Sequence, residues 1–245
     1  MTTDALLLSC EHGGARIPPR YQHLFERRAG QRALGSHRGC DLGALPLARR
    51  LSRALHAPLR ASTVSRLLVD LNRSIGHPSL FSEFSQSLDA TERERLLARH
   101  YFPHRNGIES WIEERCRSGH RVVHVGVHSF APSIEGSLRI ADVGLLYDPA
   151  RESERLFCKD WKETLADTDP HLCIRRNYPY LGKADGLVTY LRAVFDESQY
   201  LGIEIELNQA LLSTKAGLQR AGGSIAQSLQ LVMLNAPDVY PKHVC

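Results

Sequence analysis

Residues 5–14 read ALLLSCEHGG: a compact, mostly apolar run from Ala5 to Cys10 stops abruptly at Glu11, His12 and two glycines. A compact apolar stretch closed by glycines fits a strand buried on both faces of a parallel sheet. Periodicity alone also allows a short buried helix. The stretches that follow favour the strand, because they alternate between helix-like and strand-like patterns.

Residues 42–56 (LGALPLARRLSRALH) carry leucines and alanines at helical spacing with arginines between them. Pro46 is tolerated only in a first turn, so this helix begins near residue 44 or 45. Val64 to Arg73 reads as a second strand: Leu67, Val69 and Leu71 alternate with Arg66, Leu68, Asp70 and Asn72, placing most polar groups on one face. Residues 86–117 are charge-rich with helical spacing and predict two helices around Pro103. Val122 to His128 is a third strand, with Val123, Val125 and Val127 on one side and His124, Gly126 and His128 on the other. Gly144–Tyr147 reads as a fourth strand, Glu152–Leu165 as a helix, Gly202–Leu207 as a fifth strand and 212–234 as a last helix. Strands interleaved with helices, without an internal repeat or low-complexity linker, predict one α/β domain spanning 1–245 with a mixed sheet.

A chain of 245 residues can bury a substantial core. The formal charge of +4 is too small for a nucleic-acid binder, though it suits a small anionic substrate. None of the six cysteines forms a CxxC pair, so neither a zinc knuckle nor a disulfide framework is expected. The first residues lack the basic region of a signal peptide, and no apolar run approaches the length of a membrane span. These features predict a cytoplasmic protein with reduced thiols, no membrane attachment and no nucleic-acid partner.

Several strands end in, or display on one face, groups that are costly to bury unpaired: His12, Asp70 with Asn72 and Arg73, His128, and Glu204 with Glu206. Ligands of open α/β sheets bind beyond the carboxyl ends of the strands, where distant parts of a chain converge. His12 precedes two glycines that would let backbone approach a ligand closely; the plainer reading is a strand-end histidine bonded to a carbonyl. With His128 on a second strand, two imidazoles raise the case for a metal. His124 shares the face of His128, either supporting it or simply packed in the core. Asn72 and Arg73 can grip a carboxylate, although an internal Arg66–Asp70 or Arg73–Asp70 ion pair is the alternative. Glu204 and Glu206 point to the same side of a mostly apolar strand. Of two such neighbours, one should be paired or have a raised pKa, as a general base near neutral pH requires; a solvated edge strand is the competing reading.

Six blocks now make a series: SCEHGGARIP (9–18), HRGCDLGA (37–44), SRLLVDLNR (65–73), HVGVHSFAP (124–132), NYPYLGKADG (177–186) and GIEIELNQ (202–209). In this order they resemble the N-formylglutamate amidohydrolase family. The resemblance implies a hydrolase-like three-layer α/β/α fold with a mixed, mainly parallel central sheet, similar to the zinc carboxypeptidases and aspartoacylases. It implies one Zn2+ ion, with His12 and His128 as its histidine ligands. Asn72 and Arg73 would be the carboxylate clamp, Arg66 would polarise the scissile carbonyl, and Glu206 would be the base. The substrate implied is a small anionic N-acyl amino acid, by default N-formyl-L-glutamate, and with it a place in histidine degradation. The carboxypeptidase relatives carry their acidic ligand three residues after the first histidine, where this chain has Gly13, Gly14 and Ala15. The third ligand must come from elsewhere, and the resemblance, which includes HRGCDLGA, implies Asp41, with His37 as its partner or a supporting group; Asp41 as a helix N-cap without a metal role, and Glu11 as the ligand, are the alternatives. Lys183, Arg176 and Arg192 are candidates to receive a second substrate carboxylate. Another zinc deacylase, a carboxypeptidase-like peptidase and a non-catalytic binder of acidic metabolites are the competing functions.

Overall fold

The structure is a computed structural model and describes residues 4–239. Its strands are β1 (Ala5–Cys10), β2 (Leu59–Ala61), β3 (Val122–Phe130), β4 (Ser133–Ile134), β5 (Ser137–Leu138), β6 (Val143–Leu146), β7 (Ile174–Arg176) and β8 (Tyr200–Asn208). The main helices are α1 (Arg28–Leu34), α2 (Ala44–Leu55), α3 (Ala90–Leu96), α4 (Phe102–Arg117), α5 (Glu152–Thr168), α6 (Leu187–Val194), α7 (Gln209–Leu212) and α8 (Lys215–Val239). Six strands form the central sheet in the order β2-β1-β3-β8-β6-β7, while β4 and β5 make a separate hairpin. Every neighbouring pair in the central sheet is parallel except β6 and β8. The sheet is thus mixed and mostly parallel, as the sequence predicts.

Period-two alternation sorts the central strands between two helical layers. Val123, Val125 and Val127 of β3, with Leu201, Ile203, Ile205 and Leu207 of β8, pack against α2, α5 and α8. On the opposite face Leu7 and Tyr200 meet Ile108 and Ile112 of α4 and Leu187 and Leu191 of α6. This second face also carries His124, Gly126 and His128, together with Glu204 and Glu206. Apolar covering on both sides explains why β3 is buried along its whole length.

The segment 64–73 departs from the predicted strand. Only Val64 bridges, to Arg16, and the chain then turns at residues 66–68 and again at 71–73. Its backbone groups find partners outside any sheet: the Leu67 carbonyl accepts from the Ser82 and Ser85 hydroxyls, and the Asp70 N–H donates to the Leu80 carbonyl. Leu67, Leu68, Val69 and Leu71 are buried with Tyr21, Phe25 and Leu96 in a cluster of their own. The alternation read from the sequence reflects a loop with a buried side and a cavity side.

The two helices expected around Pro103 are α3 and α4. A π-helical turn, Leu97–Tyr101, joins α3 to α4, and Pro103 sits in the first turn of α4, where a missing N–H is tolerated. Helix α2 begins at Ala44, keeping Pro46 in its first turn. The short β2, β7 and α6, and the β4–β5 hairpin, were not anticipated. No helix among the described residues is long and apolar enough to cross a membrane.

Candidate active site

The carboxyl ends of β1, β3 and β8 border a cavity of about 200 Å3. His12 lies just beyond β1. The backbone N–H of Asp41 donates to the His12 carbonyl at 2.9 Å, which ties the segment before α2 to the end of β1. The Asp41 carboxylate consequently reaches both histidines: Oδ2 is 2.9 Å from His128 Nδ1 and 3.6 Å from His12 Nδ1. The two ring centroids are 5.3 Å apart. One ligand atom from each of His12, Asp41 and His128 lies within 4.8 Å of the others. All three residues are buried.

Asp41 and Glu11 are placed differently around the two histidines. Helix α2 is entered through Gly43 without a side-chain cap, so the Asp41 carboxylate is not capping it; its Oδ1 pairs with Arg66 instead. Glu11 faces the outer side of His128, with Oε2 3.2 Å from Nε2, while its Oε1 is 3.1 Å from His104 Nε2. The glycines after His12 serve packing rather than ligand approach. A Cβ on Gly13 would stand 2.7 Å from the Ser62 carbonyl oxygen, and one on Gly14 2.8 Å from that of Thr63.

Asp70 Oδ1 sits 2.7 Å from His12 Nε2. Burial opposes ionisation of Asp70, but His12, Arg66 and the Asn72 N–H outweigh it and hold the carboxyl well below the usual range. Burial, with Arg66 adding to it, lowers the His12 pKa to about 4. A neutral ring beside an ionised Asp70 carries its hydrogen on Nε2 and keeps a lone pair on Nδ1. That Nδ1 is buried without a hydrogen-bond partner. Burial disfavours charge on His128, yet its contact with Glu11 and the charges of Glu204, Glu11 and Glu206 push its pKa to about 10. Carboxylates crowded around this ring draw positive charge into the cavity. Two imidazoles, that of His12 with an orphaned buried Nδ1, and one carboxylate make a donor set that fits zinc, with further carboxylates behind the rings to orient them.

The register of β3 and β8 sets Glu204 beside Gly126 and Glu206 beside His128. Glu204 Oε1 accepts from Asn72 Nδ2 at 3.1 Å. Glu206 is buried, and its Oε2 has no partner. Burial first, and the Glu204 charge after it, raise its pKa to about 7 against the opposing pull of His128, Arg66 and Arg139. Arg66, Asn72 and Arg73 all line the cavity, although they arrive on turns rather than on a strand face. Asn72 is held by the Leu187 N–H, which donates to its Oδ1 at 2.6 Å. Arg73 Nη1 donates to the Asp185 carbonyl at 2.6 Å, while its Nε is buried and unpaired.

The candidates for a second carboxylate are not brought to the cavity. Lys183 and Arg176 are exposed, as is His37, and none of these lines it. Arg192 is held by Glu154, with Nε 2.9 Å from Oε1, and donates to the Gly202 carbonyl at 2.8 Å. His124 is a core residue, 2.8 Å from both the Tyr200 hydroxyl and Ser9 Oγ. Sequence reasoning missed Ser129, Leu146, Tyr180, Leu181, Ala184 and Asp185 as cavity residues, although four of them lie in the 177–186 block. It also missed His104, which gave no signal within its charge-rich helix.

This fold and cavity belong to a class of α/β hydrolase that cleaves amide bonds, acting on acylated amino acids. The family model for N-formylglutamate amidohydrolase matches residues 4–213, and the chain belongs to that family. The crystal structure of a gene product from Agrobacterium tumefaciens is 29% identical and covers 96% of this chain and 92% of its own, with a TM-score of 0.81. The N-formylglutamate amidohydrolase from Ralstonia eutropha JMP134 shares the fold at 18% identity and a TM-score of 0.66, over 100% of this chain and 96% of that one. None of the curated proteins matches the chain.

Proposed function

We propose that the chain, as a single domain, is a zinc-dependent amidohydrolase that removes the acyl group from an N-acyl amino acid, with formyl as the leading acyl group. The products are the free amino acid and a carboxylic acid. The observation that carries this reading is the convergence of His12, Asp41 and His128 within 4.8 Å, beside a buried glutamate whose pKa is raised to about 7.

His12, Asp41 and His128 would hold one Zn2+ ion, which when bound supplies Lewis acidity for the amide carbonyl and makes a water easier to deprotonate. Glu206 takes the proton of the attacking water and delivers it to the leaving amine nitrogen. A carboxyl with a pKa of about 7 can both accept and return a proton near neutrality. Arg66, fixed by Asp41, stabilises the negative charge that develops on the carbonyl oxygen. Asn72 and Arg73 bind the α-carboxylate, and the unpaired Arg73 Nε supports that role. A cavity of about 200 Å3 suits one acylated amino acid better than a peptide, which disfavours the peptidase reading. N-formyl-L-glutamate, the compound for which the family is named, is the reference substrate. The five described cysteines are free, which supports a reducing, cytoplasmic setting.

The test is metal analysis joined to hydrolysis of a panel of N-formyl and N-acetyl amino acids. One zinc per chain, activity lost to a chelator and restored by zinc, and Glu206→Gln retaining zinc without activity are the expected results. A zinc-loaded, folded protein that hydrolyses no member of the panel would favour a binding protein over an enzyme.

A further inference from the structure

We infer that the amino-acid half of the substrate carries an uncharged, apolar side chain, so that the cavity selects N-acyl derivatives of neutral amino acids over N-acylglutamate. The inference rests on the reading above, in which Asn72 and Arg73 take the α-carboxylate. A second carboxylate entering a small, partly buried cavity needs a charged partner of its own.

Among the described residues, the arginines and lysines lining the cavity are Arg66 and Arg73. Arg66 is engaged by Asp41, and Arg73 is assigned to the α-carboxylate. Lys183 is exposed and does not line the cavity, and Arg192 is locked to Glu154. Arg139 does not line the cavity, and although its charge is felt at Glu206, its guanidinium is engaged by Tyr180 and Phe130. Its guanidinium carbon is 5.0 Å from the Tyr180 ring centroid and 5.6 Å from that of Phe130, and Nη1 donates to the Tyr180 hydroxyl at 3.1 Å.

The wall that remains is largely apolar apart from Ser129 and Asp185. Leu146, Tyr180, Leu181 and Ala184 line it together with Asp185. The Asp185 carboxylate is held by the Ser74 N–H and hydroxyl, which with neighbouring positive charge offset its burial and keep it ionised. A glutamate side chain would therefore meet like charge and leucine. Leu181 is 56% exposed and Tyr180 44% exposed, so apolar surface stands open at the cavity for a ligand to cover. The segment that presents it is pinned: Asn177 Oδ1 accepts from the Tyr147 and Gly182 N–H groups, each at 3.1 Å. Gly144 also lets the Tyr178 carbonyl come to where a Cβ would stand, 1.9 Å from the oxygen.

The test uses zinc-loaded protein with N-formyl-L-leucine, N-formyl-L-methionine and N-formyl-L-glutamate. The expected result is a kcat/KM about tenfold or more higher for the two apolar substrates than for the glutamate derivative. Leu181→Arg, at an exposed position, should narrow or reverse that preference. A parallel calorimetric arm measures binding of the same compounds to zinc-loaded Glu206→Gln, expecting tighter binding of the apolar pair. N-formyl-L-glutamate equal or preferred in turnover or in binding overturns the inference; its loss in Arg139→Gln would then name Arg139 as the receptor. Preferential binding of the apolar pair with no turnover of any compound by the native protein would retain the side-chain assignment while removing the hydrolase reading.

Discussion

Asp70 and His12 meet through the outer edge of the imidazole: Asp70 Oδ1 is 2.7 Å from Nε2, on the side of the ring away from Asp41. The carboxylate fixes both the ring orientation and the position of its hydrogen, leaving Nδ1 as a lone-pair donor toward Asp41 and His128. Asp70→Asn preserves the shape but gives up the charge that stabilises this tautomer. Zinc affinity is expected to fall by about 10–100-fold, the usual effect of losing such an orienting carboxylate. Competition against a chromophoric chelator reads the affinity, and thermal unfolding of the metal-free variant checks that the fold persists. Unchanged affinity would mean that Asp70 does not orient a ligand.

As the proposed base, Glu206 must be ionised to accept a proton, and burial with the neighbouring Glu204 raises its pKa to about 7. The proton-bound form dominates below that value, so kcat/KM should rise with pH and level off above an inflection at or below about 7; the charge of bound zinc acts to lower it. Glu204→Gln removes a like charge, makes the ionised form of Glu206 easier to reach and should move the rising limb to lower pH. Glu206→Gln should lose about 10²–10⁴-fold in rate with zinc content intact. A rising limb that stays in place in Glu204→Gln would assign the titration to some other group.

His124 offers a test on stability rather than rate. Burial lowers its pKa from 6.5 to about 4 in the folded chain, where it bonds to Ser9 and Tyr200. Between those values the unfolded chain binds the proton and the folded chain does not, so the stabilising contribution is complete above about 6.5 and is lost as pH falls toward 4. The shift corresponds to about 3 kcal/mol in all. Denaturant unfolding of metal-free protein across this range should show a slope shallower by about one proton in His124→Gln than in the native chain. Equal slopes would show that His124 is not held neutral.

The central strands were legible because β1, β3 and β8 are covered on both sides, and their apolar residues leave few alternatives to a buried strand. Alternation within β3 and β8 also told which side chains share a face, grouping His124 with His128 and Glu204 with Glu206. In segment 64–73 the same alternation misled, since a loop with one side in a leucine cluster and the other in a cavity produces the pattern of a strand. The edge strands Leu59–Ala61 and Ile174–Arg176 are too short for period two to register. Arg192 shows what spacing cannot supply. Whether it faces the cavity or Glu154 depends on how α6 rotates against α5, and Glu154 lies 38 positions away.

Arg73 and Arg192 should therefore respond in opposite ways. Arg73 lines the cavity, and Arg73→Lys replaces a planar fork by a point charge without leaving a buried acid unpaired. Its expected effect is a higher KM for N-acyl amino acids at nearly unchanged stability. Arg192 is 6% exposed at the side chain and Glu154 is fully buried. Arg192→Met would leave the Glu154 carboxylate with only the Asp148 and Gly202 N–H groups and the more distant Arg151, and the Gly202 carbonyl without its guanidinium donor. Breaking one side of such a pair costs about 3–5 kcal/mol, which should appear as a lower denaturant midpoint. The double variant Arg192→Met with Glu154→Gln should recover part of that loss, because the buried charge goes with its partner. The fraction of Arg192→Met that stays folded should bind substrate with the native KM. A raised KM with native stability would instead return Arg192 to the substrate, and with it a receptor for a second carboxylate.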